Sequence, residues 1–351
     1  MNCARGLALS LLFLAPAALA SEPGSWTFVA GGDSRNCGDV VMPAVAAGAA
    51  AAGASFYWHL GDYRWIVQPD ADFLHEPEHR ETPPTLDEYR RLAWDDFIQS
   101  QLAPFGEMAV YLGIGNHELV SPKTRGDYVA QFADWLNAPE IQRQRLKDDP
   151  RDRLLKTYAH FVRGGVDFVT LDNASHDQFD AAQMGWLASV LRRDAEDPAI
   201  TAVVAGMHCA LPDSIAASHS MSDWELGEVT GRRAYAMLLD LQKSGKRVYV
   251  LASHSHYYMR GIFDTPYWRV HGGVLPGWIV GTSGAVRYKL PKGAEYAEEA
   301  KTDVYGYLLA SVGSDGAIRF EFREISESDV PASVVARFTP AFVHDCFEKN
   351  R

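Results

Sequence analysis

The sequence predicts a layered α/β fold with a functional site along the carboxyl rim of its strands. Two observations predict it. Short apolar runs alternate with helical patterns along the chain, and five of those runs end in Asp, Asn or His. Apolar runs too short for helices read as strands buried on both faces, and alternation of strand and helix builds layered α/β architectures. In open α/β sheets ligands bind beyond the carboxyl ends of the strands, where the polar residues of this chain are placed.

Strands are predicted at residues 26–30, 56–60, 109–112, 166–171, 200–205, 248–252, 278–280, 305–312 and 317–322. Helical patterns occupy 86–102, 128–136, 181–193 and 232–244. Asp180 followed by Gln183 reads as a capping-box start, and Gly245 as a C-terminal stop. Two long connections, 63–84 and 119–158, interrupt the alternation; the first carries four prolines and the second the charged run 143–153. Loops of this length at a strand rim shape binding sites more often than they merely connect.

Composition bounds the function. The chain has 351 residues and a formal charge of −12. Arg5, the apolar stretch from Leu7 to Leu14 and the small residues Ala18-Leu19-Ala20 read as a secretory signal over 1–20, with Ser21 first in the mature chain. Its removal takes away one Arg and no acid, so −12 becomes −13. That charge argues against nucleic acid and anionic lipid as partners, and no later segment is apolar for long enough to anchor in a membrane. A periplasmic or secreted location follows, with one catalytic domain over 21–323 and a C-terminal extension over 324–351. Cys3 leaves with the signal, and Cys37, Cys209 and Cys346 can form at most one internal disulfide. Cys37 with Cys209 is the first expectation, since each lies just past a motif; Cys37 with Cys346 is the alternative.

The motifs are Gly-Asp-Ser at 32–34, Gly-Asp-Tyr at 61–63, Gly115-Asn116-His117-Glu118, Met-His-Cys at 207–209 and His254-Ser255-His256. Carboxylate and amide oxygens mixed with imidazoles suit Mn, Fe or Zn, and no thiolate is needed. Two such ions could activate water and clamp the oxygens of an in-line displacement.

In this order the motifs resemble those of the calcineurin-like metallophosphoesterases, purple acid phosphatases included, over roughly Trp26 to Arg323. The resemblance implies an α/β/β/α sandwich of mixed sheets with helices on the outer faces. It implies Asp33 and His256 on a first metal, Asp62 bridging two metals, and Asn116, His208 and His254 on the second. His117 would stand beside the substrate as proton donor. The segment 183–191, reading QMGWLASVL, is similar to the helix before that family's fourth motif.

Three positions depart from the family's pattern. Arg35 stands where a metal-binding His is usual, and an Arg is never a ligand. Trp65 stands where purple acid phosphatases carry a Tyr and protein phosphatases an Asp that orients the catalytic His, so the partner of His117 is unidentified. Tyr63 is the nearest phenol, but strand alternation turns it away. Ser253 replaces a Gly.

Arg35 has two readings, an ion pair with Asp39 or a grip on a substrate phosphate oxygen. His219 is a second substrate-binding candidate, because 211–224 should fold over the metals. His59 reads as a core histidine, His75 and His79 as members of a solvated loop, and Asp172 as a cap or turn former with a supporting role to a metal-binding His as the alternative. The expected function is hydrolysis of a small-molecule phosphomonoester by a metal-bound hydroxide, with no covalent phosphoenzyme. A phosphodiesterase acting on cyclic nucleotides or phospholipid head groups is one alternative, and a metal-dependent binding module without turnover is another.

Overall fold

The computed structural model describes residues 25–175, 178–216 and 219–350; the expected signal segment lies outside them. Twelve strands are present among the described residues: β1 (Trp26–Gly31), β2 (Phe56–His59), β3 (Ala109–Leu112), β4 (Ala159–Arg163), β5 (Val166–Thr170), β6 (Ala202–Gly206), β7 (Arg247–Ala252), β8 (Tyr258–Arg260), β9 (Gly277–Val280), β10 (Glu299–Lys301), β11 (Tyr305–Val312) and β12 (Ile318–Ile325). The helices used below are α1 (Gly38–Ala51), α2 (Ala71–His75), α3 (Leu86–Phe97), α4 (Arg125–Gln131), α5 (Ala133–Leu136), α6 (Pro139–Asp148), α7 (Ala181–Glu196), α8 (Glu225–Lys243), α9 (Pro266–Val270), α10 (Ala332–Phe338) and α11 (Pro340–Glu348).

The strands form two mixed sheets, ordered β12-β11-β1-β2-β3 and β10-β8-β9-β7-β6-β5-β4. β1, β2 and β3 run parallel, as do β5, β6, β7 and β9. Their carboxyl ends therefore collect at one edge of the sandwich. Between the sheets Phe28, Phe56 and Trp58 meet Phe168, Val204 and Val280. Phe28 lies edge-on to Phe168 with ring centroids 5.0 Å apart. Leu187, Val190 and Leu238 of α7 and α8 cover the second sheet, while Val41, Val45, Tyr89 and Phe97 of α1 and α3 cover the first. Each such fully buried side chain contributes about 1.5–3 kcal/mol, and two-sided burial explains why the strands read as unbroken apolar runs.

All nine expected strands are present, with small shifts of their ends. The helices moved more. The pattern at 128–136 is broken into α4 and α5 at Phe132, and the expected loop 119–158 also holds α6. α8 starts at Glu225, seven residues before the expected start at 232. Gly227 and Gly231 obscured its first turns; a β-carbon on Gly231 would lie 2.4 Å from Pro212 Cδ, so the helix needs a glycine there. Asp180 caps α7 by accepting from the Gln183 amide at 2.7 Å, but the Gln183 side chain turns to the Asp172 backbone instead of closing a box.

β12 runs on to Ile325, and α10 and α11 pack Phe338, Val343 and Cys346 against Cys37 and Val40. Cys37 bonds to Cys346, overturning the expected pairing with Cys209. Cys209 is buried behind the second sheet with its Sγ toward the His219 carbonyl. Among the described residues no helix is long and apolar enough to cross a membrane.

Candidate metal centre

Five strand ends converge. β1 leads to Asp33, β2 to Asp62, β3 to Asn116 and His117, β6 to His208, and β7 to His254 and His256. Asp33, Asp62 and His254 all have left-handed backbones, with φ of 60°, 62° and 66°. Left-handed non-glycine residues are costly and collect at functional sites, where the surrounding structure must hold them. Here it does. The amides of Asp33 and Ser34 donate to the carbonyls of Gly61 and Asp62, each at 3.0 Å, and the Ser253 amide donates to the His208 carbonyl. A β-carbon on Gly115 would lie 2.3 Å from Asp62 Oδ1, so the second and third motifs touch only because Gly115 has none.

Around His208 Nε2 gather Asn116 Oδ1 at 3.0 Å, His254 Nδ1 at 3.0 Å and Asp62 Oδ1 at 3.3 Å. Across the pocket His256 Nε2 lies 3.3 Å from Asp33 Oδ1. Two of the remaining ring nitrogens are held by carbonyls: His208 Nδ1 by Leu60 at 3.1 Å and His256 Nδ1 by Val286 at 2.6 Å. A carbonyl can only accept, so each bond puts a proton on Nδ1 and turns Nε2 toward the pocket. His117 follows suit, with Nδ1 2.5 Å from the Trp65 carbonyl and its amide donating to Asp62 Oδ1 at 2.9 Å.

Charge shows what the pocket wants. Asp33 Oδ1 and Asp62 Oδ2 are buried with no hydrogen-bond partner. Burial opposes the Asp33 charge, but the facing His256 brings its pKa down to about 2. Asp62 is likewise lowered by His208 against the cost of burial. Burial also opposes charge on His208, yet Asp62 raises it to about 9. Burial and His208 push His254 down to about 3. Two buried carboxylates with orphaned oxygens beside imidazole nitrogens, one of them holding a proton that a metal would displace, fit a bound cation, and the mixed oxygen and nitrogen donors suit Mn, Fe or Zn.

Arg35 is 8% exposed and points into the pocket. Its Nη1 lies 2.5 Å from His117 Nε2 and its Nη2 2.9 Å from His256 Nε2. It does not pair with Asp39, which goes to Arg64 at 2.6 Å together with Asp72 and Asp96. His219 stands at the rim, with ring centroids 5.4 Å from both His254 and Tyr288. The Tyr63 hydroxyl turns away to the Gly113 carbonyl and Tyr128. His59 is buried between Ser34 Oγ and the Gly61 amide, and Asp172 is taken up by Arg125 and the Ala174 amide. His75 stacks on Phe342 and His79 on Phe73, so both do more than face solvent. Ser253 is tolerated because the left-handed residue of that turn is His254; its Oγ donates to the Leu60 carbonyl.

Three contributors were missed. Glu118 accepts from the amides of Asp62, Tyr63 and Gly115 at 2.7–2.9 Å, tying two motifs together. Its place three residues after Gly115, the back half of a capping box, was the available signal. Tyr288 stacks on His256 at 4.0 Å, and nothing in its surrounding sequence marked it. The Trp65 carbonyl, as a backbone group, leaves no trace in residue type.

No protein-family model matches the chain, and no curated protein is significantly similar to it. Solved structures are. A purple acid phosphatase from yellow lupin (Lupinus luteus) seeds superposes with a TM-score of 0.56 at 16% identity, covering 87% of this chain and 52% of that one. PhoD gives 0.52 at 15% identity over 95% and 78% of the two chains. The chain has the calcineurin-like metallophosphoesterase fold. GAP50, the anchor in the inner membrane complex of Plasmodium, also has a TM-score of 0.52, at 11% identity over 86% of this chain and 84% of that one. At these identities the likeness concerns the metallophosphoesterase fold alone, and this chain spans about half the length (52%) of the lupin protein.

Proposed function

We propose that the chain is an exported, metal-dependent phosphoesterase that hydrolyses phosphomonoesters. One observation carries the reading: Asp62, Asn116, His208 and His254 converge on a single point with His117 beside them. A cation bound there would polarise a phosphoryl oxygen and acidify a water molecule.

The chain's own residues do the rest. The Arg35 guanidinium grips two phosphoryl oxygens as a fork. In doing so it leaves His117 Nε2, which is then able to take a proton from water and pass it to the leaving oxygen while Nδ1 stays on the Trp65 carbonyl. His219 and Tyr288 flank the entrance and meet the organic part of the ester. The preference for monoesters rests on oxygen count. One non-bridging oxygen for the cation and two for the guanidinium make three, and a diester has only two. Export is supported by the pattern of residues 1–20 and by the Cys37–Cys346 disulfide, which belongs in an oxidising compartment.

The test is hydrolysis of phenyl phosphate and of bis(phenyl) phosphate by chelator-stripped protein reloaded with Mn, Fe or Zn. Faster cleavage of the monoester is expected. Faster cleavage of the diester would make the protein a diesterase, and metal binding without hydrolysis of either would leave a binding module.

A further inference from the structure

The resemblance implies two ions, yet the two halves of the pocket differ. Around His208 four donor atoms face one another. Among the described residues, His, Cys, Asp and Glu form two groups of three whose donor atoms lie within 4.8 Å of one another: Asp62-His208-His254 and Asp39-Glu76-Asp96. Asp33 and His256 belong to neither. The second group is already paired, Asp39 and Asp96 with Arg64 and Glu76 with Arg337.

What fills the other half is Arg35. The lone pair that His256 Nε2 would offer to an ion accepts from Arg35 Nη2 at 2.9 Å. The Arg35 Nε lies 4.0 Å from Asp62 Oδ2, the orphaned oxygen on the side away from His208. Tyr288 stacks on His256 with ring centroids 4.0 Å apart and braces its ring. A guanidinium is permanently charged and has no lone pair to give, so it can take a cation's place but cannot share it. Charge agrees. Asp33 and Asp62 bring two negative charges, which one divalent ion and Arg35 already exceed; a second divalent ion would leave a larger uncompensated positive charge in a buried pocket.

We propose that the Arg35 guanidinium takes the place of the first metal ion, so that the chain holds a single ion, on Asp62, Asn116, His208 and His254. Asp62 then bridges a metal and a guanidinium rather than two metals. The inference rests on the metal-dependent reading above and deepens it, because Arg35 presents the phosphoryl group with the charge that a first ion would supply.

Metal binding decides it, with or without turnover. Full-length mature protein, stripped and dialysed, is titrated with Mn²⁺, bound metal per chain is counted, and the spin resonance spectrum is recorded. Wild type should bind one ion per chain with the signal of an isolated ion. Arg35→His, which supplies an imidazole in place of the guanidinium, should bind two, with a spin-coupled signal. Arg35→Ala should weaken inhibition by inorganic phosphate by at least about 10- to 100-fold, the worth of a single charge-assisted contact, since the fork makes two. Two ions of comparable affinity in wild type overturn the proposal, as does a folded Arg35→His variant that still binds one. If that variant does not fold, the wild-type count and spectrum decide alone. No metal in wild type would sink both this inference and the phosphoesterase reading. One ion without hydrolysis of phenyl phosphate would sink only the latter.

Discussion

His117 donates its Nδ1 proton to the backbone carbonyl of Trp65 at 2.5 Å, so a main-chain atom does the work expected of an acidic side chain. Replacing the Trp65 side chain should therefore matter much less than replacing His117. We expect His117→Asn to keep its metal while turnover falls by roughly 10²- to 10⁴-fold, as for loss of a general acid. Trp65→Ala should lose less than about 10-fold. The loss in the His117 variant should shrink for nitrophenyl phosphate, whose leaving group needs little protonation. Equal losses on phenyl and nitrophenyl phosphate would rule out the acid role.

Asp62 faces His208 with one oxygen and Arg35 with the other. Asp62→Asn keeps the shape and removes the charge, so metal affinity and turnover should both collapse, turnover by about 10³-fold or more. Metal analysis beside kinetics checks it; an Asn variant with full metal and near-normal rates would remove Asp62 from the site.

Glu118 satisfies three buried amides with one carboxylate. Glu118→Ala would orphan all three, at about 1–3 kcal/mol for each buried group left unpaired. A large drop in melting temperature should accompany loss of metal, because the amides freed are those of Asp62 and its neighbours. Calorimetry on the metal-free protein separates the structural loss from the loss of binding.

The disulfide closes a span of 309 residues between Cys37 and Cys346. Cys37→Ser should cost about 2–4 kcal/mol, and peptide mapping should find Cys37 linked to Cys346 with Cys209 as a thiol. A linked peptide containing Cys209 would contradict the pairing.

His160, outside the candidate site, lies between Asp167 at 2.7 Å and Asp148 at 2.6 Å, with Arg193 also on Asp148. Burial opposes its charge, but the two carboxylates raise its pKa to about 9. The folded value exceeds the unfolded one, so this stabilisation is complete below about pH 6.5 and is lost as pH rises through about 9. The nearby Asp194, raised to about 8 by burial and Asp167, acts in the same direction. Unfolding free energy should fall by up to about 3 kcal/mol on the His160 account across that window, and His160→Gln should flatten the curve. An unchanged slope in the variant would assign it to other groups.

The strands and the convergence of the five motifs were legible because both follow from local chemistry. A strand buried on two faces must be apolar, and a polar residue just past its carboxyl end faces the rim where ligands bind. The helix α1 was not legible, since Pro43 and the glycines at 38 and 48 weaken its signal. Nor could sequence choose between Cys209 and Cys346, because the fold rather than proximity to a motif brings thiols together. The direction of Arg35 was legible only as a choice between two partners, and the structure shows a third arrangement on His117 and His256.

Cys346 is made 309 residues after Cys37, so the order of synthesis opposes the order of assembly. The loop bearing Asp33 and Arg35 emerges early, and its covalent clasp arrives only with α11. That same late segment also holds Arg287, through the Phe347 and Asn350 carbonyls, next to the Tyr288 that braces His256. A nascent chain can thus pair its parallel strands before its first motif is fastened.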